Sequence, residues 1–591
     1  MIDTPENWMA YRFTNSVASL RSLAPVVALP LMVLAGCKSV PLPPWTPSFP
    51  RPTVVVVPAP GLAAATAAVQ ISPVPPPAVV ASVPQDEVTP FSAAVAARFP
   101  APAVVYSTPG LQAGRVSFTT QDEIHDWLRE QAAALARSVG VRAALLPIGR
   151  SQQGEALEAL VLTRGAGTDP AALEATQRPT VLLIAQQQGD EPAGSEALLI
   201  VARELAQGSL QPLLERINVL IVPRANPDGA ARGQRSTADG RDLGRDHLLL
   251  NTPEAQALAA LTRDYRPMVV VDAHEYAVPG PYPQKFGAQP KFDALVQYSA
   301  TANLSEFLLR ADEEWYRRPL LAALKGQGLS TEWYHTTSAD LADKQLSMGG
   351  TQADTLRNVE GLKNAVGVLV ATRGAGIGRM HIQRREHTHV TALTSILGST
   401  AQRAGELGQL RPYLDKEVSA LACKGQAVVE AAPTPAQYDL LMLDPASGAD
   451  KIVTVDWDST LALRTLKSRA RPCGYWLSAA SGTAVERLRL HGVQVRRLLE
   501  QGALLGDIYR GTTHSAESGV PVKTDVALVR GVIDAPAGSY YVSLNQPFGN
   551  LVVAALEPDT PYSYFSNQLL ESLAGAARVM AEPPARGEEL P

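Results

Sequence analysis

Four groups of polar residues that could take part in chemistry each follow an apolar run of the sequence. They are Gln187–Gly194, Asn226–Gly229 (followed by Arg235 and by Asp242–His247), Asp272–Glu275 and Ala371–Gly374. Imidazole and carboxylate groups, as in His274 and Glu191, are the ligand types of catalytic zinc, which takes three protein ligands and one water molecule. Guanidinium groups, as in Arg245, bind carboxylates through a planar pair of donors. Each group alone is a weak signal, so the argument depends on where the four groups lie in the fold.

The segments before these groups have the pattern of buried strands. Residues 179–187, 216–229, 267–275 and 364–374 are apolar runs that end in polar side chains, and residues 121–138 and 194–207 have helical spacing. Strands that alternate with helices predict an α/β fold with a mixed, largely parallel sheet covered by helices on both faces. Ligands of such sheets bind at the carboxyl ends of the strands, where all four polar groups lie.

In this order and at these separations, the four groups resemble the active-site motifs of the zinc metallocarboxypeptidases, the carboxypeptidase A-like peptidases. The flanking sequence is similar along the whole segment, including NPDGA, VVVDAHE, GGTQ and TRGAGIGR. The resemblance covers roughly residues 110–400, about half of the chain. It implies a zinc-dependent peptidase fold with one metal ion in the cleft.

The resemblance assigns the metal ligands and the general base to named positions. Glu191 and His274 match two of the three zinc ligands, but the position of the family's first histidine is Gln188. The family's general-base glutamate should precede Thr372, where this chain has Ala371. A carboxamide oxygen is a weaker zinc ligand than imidazole, and an alanine cannot accept a proton. The resemblance therefore implies one zinc ion that is weakly bound or absent, and hydrolysis that is impaired.

The substrate-binding arginines are better kept. Arg245 matches the arginine that holds the substrate's terminal carboxylate, whereas its family partner asparagine is replaced by Gly244. Arg235 is the match to the arginine that stabilises the oxyanion. Glu275 is a conceivable substitute base, but adjacent side chains of a strand point to opposite faces of the sheet.

Each of these residues also has an interpretation without a catalytic role. Glu191 could be a carboxylate at a helix N-terminus, His274 a hydrogen-bonded core histidine, and Arg235 and Arg245 solvated surface charges. Asp272 is predicted to orient a ligand rather than to bind metal. The histidines at 381, 387 and 389 are predicted to lie in a polar loop after the last strand of the domain, and the alignment of Tyr334 is too poor to assign it a role.

The N-terminal region predicts export. Arg12 and Arg21 precede an apolar run that ends at Gly36, and Cys37 follows directly. This pattern is typical of a secretion signal, and residues 34–37 resemble the bacterial lipoprotein box, whose cysteine is lipidated. An ordinary signal peptide or an anchor helix with a chance cysteine is the alternative. Lipidation of Cys37 would place the protein in the cell envelope, on the periplasmic side of the outer membrane by the same resemblance.

The predicted organisation has four parts. Residues 1–37 form the signal peptide, 38–105 a Pro-rich tether, 106–400 the carboxypeptidase-like domain, and 401–591 a helical linker with a smaller β-rich C-terminal domain. Proline makes up 14 of the 50 residues from 41 to 90, which favours extended chain. Strand-like runs such as YDLLML, KIVTVDW and NLVVAAL lie between about 430 and 565. Cys423 and Cys473 could form a disulfide or remain free thiols.

Composition excludes some partners and leaves three functions open. The net charge is −5 and no basic stripe is present in the sequence, so a nucleic-acid partner is not expected. The first hypothesis is a metallocarboxypeptidase that acts on peptides or peptidoglycan stem peptides in the envelope. The second is an inactive relative that binds peptides or wall fragments through Arg235 and Arg245. The third is a structural envelope lipoprotein, anchored to the membrane, whose β-rich domain makes the important contacts.

Overall fold

The computed structural model describes residues 91–137, 140–278, 280–511, 526–560, 562–570, 572–583 and 586–590. The predicted signal, Cys37 and most of the tether lie outside these residues. Within these described ranges, nine strands precede residue 376: β1 (Arg142–Arg150), β2 (Ala156–Thr163), β3 (Thr180–Ala185), β4 (Asn218–Val222), β5 (Val269–Ala277), β6 (Ala294–Tyr298), β7 (Thr331–Trp333), β8 (Gln345–Ser347) and β9 (Val366–Ala375).

Eight of these strands form one mixed sheet in the order β1-β2-β4-β3-β5-β9-β6-β7. Its centre is parallel, because β3 pairs in parallel with both β4 and β5, and β5 pairs in parallel with β9. The outer strands β1 and β2, and the pair β6 and β9, are antiparallel. The predicted mixed, largely parallel sheet is confirmed, and its parallel centre brings the carboxyl ends of β3, β4, β5 and β9 to one edge.

Helices cover both faces of the sheet. They are α1 (Ala93–Ala96), α2 (Gln121–Ala136), α3 (Pro170–Ala175), α4 (Pro192–Gln207), α5 (Pro227–Arg232), α6 (Pro253–Tyr265), α7 (Tyr282–Phe286), α8 (Glu306–Ala311), α9 (Arg318–Gly326), α10 (Leu356–Leu362) and α11 (Ile382–Gln402), with a π-helical turn at Asp312–Arg317. Side chains of α2, α4 and α11 share one core with Val181 and Leu183 of β3. Leu182 and Ile184 face the opposite core with α3 and α6.

The first residues of two of these helices explain where they begin. Thr120 and Glu123 form a capping box at the start of α2, in which each side chain accepts from the other residue's backbone N–H. Helix α4 has Pro192 at its first position, where a missing N–H costs nothing. Glu191 is therefore held directly before α4, at the end of the turn that follows β3.

The C-terminal part is built mainly from strands. It contains α12 (Ala404–Ala420), β10 (Gln426–Leu443), β11 (Asp450–Ala470), β12 (Gly474–Leu477), α13 (Gly482–Leu490), β13 (Arg496–Leu498), β14 (Gly502–Gly511), β15 (Val526–Ala535), β16 (Tyr540–Ser543), α14 (Gly549–Leu556), β17 (Ala576–Val579) and β18 (Gly587–Glu589). The long hairpin of β10 and β11 pairs with β8, and a seven-stranded sheet follows in the order β15-β14-β17-β12-β16-β13-β18. The predicted β-rich C-terminal region is confirmed.

Two local predictions are wrong. The run NLVVAAL was predicted as a strand, but Gly549–Leu556 is a helix that is buried among apolar residues. A short apolar run does not distinguish a buried strand from a buried helix by periodicity. The predicted histidine loop is helical as well, since His387 and His389 lie inside α11 and His381 immediately precedes it. The residues that follow His381 form one continuous helix, α11, which includes the other two histidines.

Two further findings concern covalent links and membranes. Cys423 and Cys473 form a disulfide between the end of α12 and the start of β12, with their Cα atoms 4.2 Å apart. Of the two alternatives left open by the sequence, the structure therefore has the disulfide. Among the described residues, no helix combines the length and the apolar character needed to span a bilayer.

Candidate functional site

The candidate site lies at the carboxyl edge of the parallel strands. His274 of β5 is in register with Ala371 of β9, so both side chains point to the same face of the sheet. The turn after β3 brings residues 186–191 over this edge, and Gln186 adopts a positive φ of 52° at its start. The structure therefore brings Glu191 to His274 and places Ala371 beside His274 in the sheet, whereas Gln188 lies close to Gly244.

His274 lies between two carboxylates. Its Nδ1 is 2.9 Å from Oε2 of Glu191, and its Nε2 is 2.7 Å from Oδ1 of Asp272. Burial opposes a charge on the ring, but Asp272 and Glu191 outweigh burial and raise the pKa of His274 well above its ordinary value. Asp272 thus orients the imidazole from behind, which agrees with its predicted role and with the usual support of a metal-binding histidine.

Asp272 is itself held by a residue that the sequence argument did not use. Nε2 of Gln187 donates to Oδ1 of Asp272 at 2.6 Å, and Nε2 of the buried His247 lies 2.5 Å from Oε1 of Gln187. Because the amide oxygen can only accept, His247 donates this proton. Burial lowers the pKa of His247 to about 4, so its ring is neutral near neutral pH. The result is a buried chain of polar contacts behind His274.

Gln188 is directed toward a different partner. Its Nε2 donates to Oδ1 of Asp242 at 2.7 Å, and its buried Oε1 has no hydrogen-bond partner among the described residues. The donors available for a zinc ion are therefore one carboxylate, one imidazole and one neutral carboxamide oxygen. Three strong protein ligands are the rule for catalytic zinc, and a carboxamide oxygen is a poorer ligand than imidazole. The residues do not complete the zinc site that the family resemblance implies.

The described residues offer no alternative metal centre. Within the described ranges, the structure contains no group of three or more His, Cys, Asp or Glu residues that could hold a metal ion. His389 is used elsewhere, because its Nε2 is 3.0 Å from Oγ1 of Thr372, and Nδ1 of His387 is 2.7 Å from the hydroxyl of Tyr106. Zinc binding by this chain stays a prediction based on Glu191, His274 and Gln188.

Arg235 connects Asp242, the partner of Gln188, to Glu191. Its NH2 group lies 2.8 Å from Oδ2 of Asp242, and its NH1 group lies 3.5 Å from Oε1 of Glu191. Burial opposes ionisation of Asp242, but Arg235 outweighs it and lowers the pKa of that carboxyl. Since 55% of the Arg235 side chain is exposed, its guanidinium group is within reach of a bound anion.

The side chain of Arg245 pairs with a different carboxylate, that of Asp354. The turn Leu243–Arg245 is capped by Asp242, whose Oδ1 accepts from the backbone N–H of Gly244 at 3.0 Å. NH1 of Arg245 donates to Oδ2 of Asp354 at 3.1 Å, and 45% of the Arg245 side chain is exposed. Oδ1 of Asp354 is buried without a partner among the described residues. Arg245 is thus fixed on one side and open to a ligand on the other.

Ala371 is surrounded by apolar groups. It is fully buried in a cluster with Leu295, Leu369 and Trp457. The nearest alternative base in sequence, Glu275, lies on the opposite face of the sheet, where its Oε1 is 2.6 Å from NH2 of Arg385. Its Oε2 accepts from the backbone N–H of Ala193 at 3.1 Å. Glu275 is therefore bound by Arg385 and Ala193 in the core, and it does not serve as a base beside Ala371.

Two cavities adjoin these residues. One, of about 420 Å³, is lined by Arg245, Thr336, Asp354 and Tyr562 among others. A larger one, of about 820 Å³, is lined by Gly189 and Asp190 together with residues of α2 and α5. The smaller cavity contains the carboxylate-binding candidate and is the one relevant to a peptide terminus.

The structure also shows what sequence reasoning missed. Gln187, Asp242, Asp354 and Tyr562 all contribute to the site or to its cavities. Asp242 could have been found, since it lies two residues before Gly244 in a turn-forming stretch. Nothing in the local sequence around Tyr562 indicates a position near Arg245, because the two residues are more than 300 positions apart.

Comparisons with known proteins support the family resemblance of the sequence. Residues 126–306 match the zinc carboxypeptidase family model. The chain is 27% identical to carboxypeptidase 2 of Trichophyton rubrum over 397 residues, which cover 64% of this chain and 71% of that protein. It is 30% identical to human carboxypeptidase D over 247 residues, which cover 34% of this chain and 18% of that protein.

Solved structures give a weaker comparison. A metallo-carboxypeptidase from Pseudomonas aeruginosa is 21% identical with a TM-score of 0.34, and the match covers 48% of this chain and 68% of that one. Carboxypeptidase A from Helicoverpa armigera is 14% identical with a TM-score of 0.36, covering 50% of this chain and 76% of that one. Because these TM-scores are low, the assignment depends on the sequence matches and on the strand-end motifs. On those grounds, residues 126–306 match a zinc carboxypeptidase domain, and the sequence matches support the zinc metallocarboxypeptidase family for this part of the chain.

Proposed function

We propose that this protein binds peptides by their C-terminal carboxylate and hydrolyses them slowly or not at all. The observation that carries the proposal is Ala371, which occupies the position of the family's base and is fully buried among apolar side chains. General-base catalysis contributes about 10²–10⁴-fold to the rate of such reactions. Glu275, the nearest carboxylate in sequence to His274, pairs with Arg385 on the opposite face and does not take over this position.

The binding function is supported by the two arginines. Arg245 borders an open cavity and has one side of its guanidinium group fixed by Asp354. Arg235 is anchored by Asp242 and is more than half exposed. A planar guanidinium group that is oriented in advance binds a carboxylate with two parallel hydrogen bonds. Both arginines therefore retain the features needed to hold a peptide terminus, although the groups for bond cleavage are incomplete.

Weak zinc-dependent hydrolysis is the second candidate function, and one observation favours it. Glu191 and His274 converge to 2.9 Å, and Asp272 supports the imidazole from behind. Two ligand positions and their support are thus retained. In that case Glu191, His274 and Gln188 would hold the ion, which would polarise the scissile carbonyl. Arg245 would position the substrate terminus under either function.

We also propose that these events take place in the cell envelope. The supporting features are the apolar run before Cys37, the lipoprotein-like residues 34–37 and the Pro-rich stretch that follows. Peptides released from proteins and the stem peptides of peptidoglycan are the ligands with free carboxyl termini in that compartment. Changing Cys37→Ala should move the protein from the membrane fraction to the soluble envelope fraction. If the variant stays in the membrane fraction, the lipid-anchor proposal is wrong.

The central experiment compares two versions of one labelled peptide, with a free and with an amidated C-terminus. Fluorescence anisotropy with the full chain should show at least about 10-fold tighter binding of the free terminus, because amidation removes the charge that Arg245 recognises. Arg245→Ala should abolish this difference. Arg241→Ala is the matched control, since Arg241 lies on the same segment, is similarly exposed and pairs only locally with Asp239.

Hydrolysis is measured in the same samples, with added zinc and with a chelator. We expect release of the C-terminal residue at least 100-fold slower than by an intact member of the family, in line with the missing base. Chelator-sensitive release at ordinary enzyme rates would overturn the impaired-hydrolysis proposal. Equal affinity for the free and the amidated peptide would overturn the carboxylate-binding proposal.

A further inference from the structure

The cavity beside Arg245 has walls from two distant parts of the chain. One wall comes from the carboxypeptidase-like part, through Thr336 and the segment Gly349–Asp354. The other comes from the C-terminal part, through Pro433 of β10 and through Tyr562, which follows α14. The cavity of about 420 Å³ therefore lies between the two parts, and each part supplies some of its wall.

That packing is extensive and apolar. Leu248, Ala353, Val359 and Leu362 from the first part lie in the same hydrophobic cluster as residues of β12, α13 and α14. Burial of apolar side chains stabilises by roughly 1.5–3 kcal/mol for each large residue. A shared core of this kind holds the two parts as one body, so the cavity wall is a fixed feature of the fold.

Hydrogen bonds continue this connection to the residues around Arg245. The carbonyl of Leu248 accepts from Nε2 of His491 at 2.9 Å and from the hydroxyl of Tyr564 at 3.3 Å. The preceding residue, His247, donates its backbone N–H to the carbonyl of Asp354 at 3.1 Å. The C-terminal part therefore supports the segment that carries Asp354, the partner of Arg245.

Tyr562 contributes a polar side chain from the C-terminal part to the lining of the cavity that contains this charge pair. It is half-buried and lines the cavity that contains Arg245. Burial raises the pKa of Tyr562, Asp354 raises it further, and Arg245 opposes the shift, so the phenol is within electrostatic range of both groups. Its hydroxyl is neutral near neutral pH and can donate or accept a hydrogen bond.

We propose that the β-rich C-terminal domain forms one wall of the peptide-binding cleft, and that Tyr562 determines which C-terminal residue is accepted beside Arg245. The proposal rests on the proposed function, since it concerns the ligand of the same cleft. It gives the C-terminal domain a role in recognition in addition to its structural contacts.

The chemistry of the cavity indicates the class of terminal residue. Its polar side chains are Thr336, Ser347, Thr351, Gln352 and Tyr562, in addition to the Arg245–Asp354 pair. Backbone groups of two glycines, at 349 and 350, complete that wall. An apolar terminal side chain would leave these donors and acceptors without partners when it excludes water, which is costly. The cleft therefore selects peptides whose terminal residue has an uncharged polar side chain.

The test uses peptides that end in asparagine or leucine, because the two side chains are similar in size and shape. Binding to the full chain is measured for each peptide with a free and with an amidated terminus. Wild-type protein should bind the asparagine peptide about 10-fold more tightly than the leucine peptide. Tyr562→Phe removes only the hydroxyl and should reduce this ratio at least about 3-fold. Tyr540→Phe, in a half-buried tyrosine of β16, is the matched control and should leave the ratio unchanged.

The outcomes separate this proposal from the function on which it rests. A wild-type preference for leucine, or a Tyr562→Phe ratio equal to that of wild type, overturns the role of Tyr562. In those cases, an intact preference for free over amidated termini leaves the carboxylate-binding function in place. If wild-type protein binds free and amidated termini equally well, both the role of Tyr562 and the carboxylate-binding function are wrong. Thermal unfolding of Tyr562→Phe and Tyr540→Phe, expected to match wild type, verifies that the variants are folded.

Discussion

A Cβ atom at Gly244 would lie 2.5 Å from Nε2 of Gln188, so these two residues share one space in the cleft. Nε2 of Gln188 donates to Oδ1 of Asp242, and the backbone N–H of Gly244 donates to the same oxygen. The two positions that the resemblance aligns with the family's histidine and asparagine are therefore in direct contact. The small residue at 244 allows the amide at 188 to reach Asp242.

This contact predicts that the two positions are energetically coupled. Gly244→Ala should displace the Gln188 amide and lower the free energy of unfolding by about 0.5–1.5 kcal/mol, the worth of the hydrogen bond to Asp242. In a Gln188→Ala background the same change should cost less, since no amide remains to be displaced. Denaturant unfolding of the four proteins in this cycle gives the coupling energy. Additive effects, within about 0.3 kcal/mol, would contradict the shared-space interpretation.

Restoration of the missing groups should restore chemistry. Gln188→His, combined with Gly244→Asn and Ala371→Glu, supplies the third ligand, the second half of the carboxylate clamp and the base. We expect zinc affinity to rise at least about 10-fold, because imidazole replaces a carboxamide oxygen. Peptide hydrolysis should rise by about 10²–10⁴-fold through the new base.

The matched control replaces Ala371→Glu by Ala371→Gln in the same background. Glutamine has nearly the same size but cannot accept the proton, so zinc content should rise without the gain in rate. Metal analysis and release of the terminal residue are measured on the same preparations. Equal rates for the two proteins would show that position 371 does not hold the base.

The ion pair behind the site should be important for stability. Arg385 and Glu275 are both buried, with 2.6 Å between their closest atoms. Burial raises the pKa of Glu275 even though Arg385 opposes the shift. Arg385→Ala would leave this carboxylate buried without a countercharge and should destabilise the protein by about 3–5 kcal/mol.

Two further variants make this prediction specific. Arg403→Ala removes an exposed pair with Glu406 and should cost less than about 1 kcal/mol. The double change Arg385→Met and Glu275→Gln removes both charges and should recover most of the loss. Chemical denaturation at pH 7 measures all three proteins. A loss in Arg385→Ala no larger than in Arg403→Ala would contradict the expected cost of an unpaired buried charge.

Buried neutral histidines should make the fold sensitive to mild acid. Burial lowers the pKa of His335 to about 4 and that of His491 to about 3. Unfolded histidine has a pKa of about 6.5, so between pH 6.5 and 4 only the unfolded state takes up these protons. The contribution of these two histidines to stability is therefore complete above pH 6.5 and falls as pH decreases, with a slope that approaches about 1.4 kcal/mol per pH unit for each of them.

The contribution of one histidine can be isolated. His274 acts in the opposite sense, because its pKa is raised and its contribution is lost as pH rises. The informative quantity is therefore the difference between wild type and His335→Gln, measured by denaturant unfolding between pH 6.5 and 5. The variant should show the smaller slope. Identical slopes would mean that His335 titrates in the folded state as it does in the unfolded chain.

Much of the catalytic edge could be predicted from the sequence. The runs before Gln188, Asp272 and Ala371 are apolar and end in polar residues, which is typical of buried parallel strands. Parallel strands bring their carboxyl ends to one edge, so Glu191, His274 and Ala371 were expected there, and the family resemblance grouped them. That β5 lies between β3 and β9 was decided only by the tertiary structure. The helical state of Gly549–Leu556 did not follow, because a short, mostly apolar run is compatible with either a buried strand or a buried helix.

The partners of the site residues depend on contacts over long separations. Asp354 is 109 positions from Arg245, and Gln187 is 85 positions from Asp272. No periodicity links such positions, since their proximity results from the path of several loops over the sheet. The same holds for the disulfide between Cys423 and Cys473, which the sequence left as one of two alternatives.

The sequence by itself determined which chemical groups this protein has at the ends of its parallel strands. Gln188 and Ala371 are visible there as replacements of a ligand and of a base, because residue type and spacing are properties of the chain. Only the tertiary structure decided what those groups contact. It directs Gln188 to Asp242, commits Glu275 to Arg385, and brings Tyr562 beside Arg245. The physical reason is that packing of the two parts into one core determines these distances, and local sequence does not encode them.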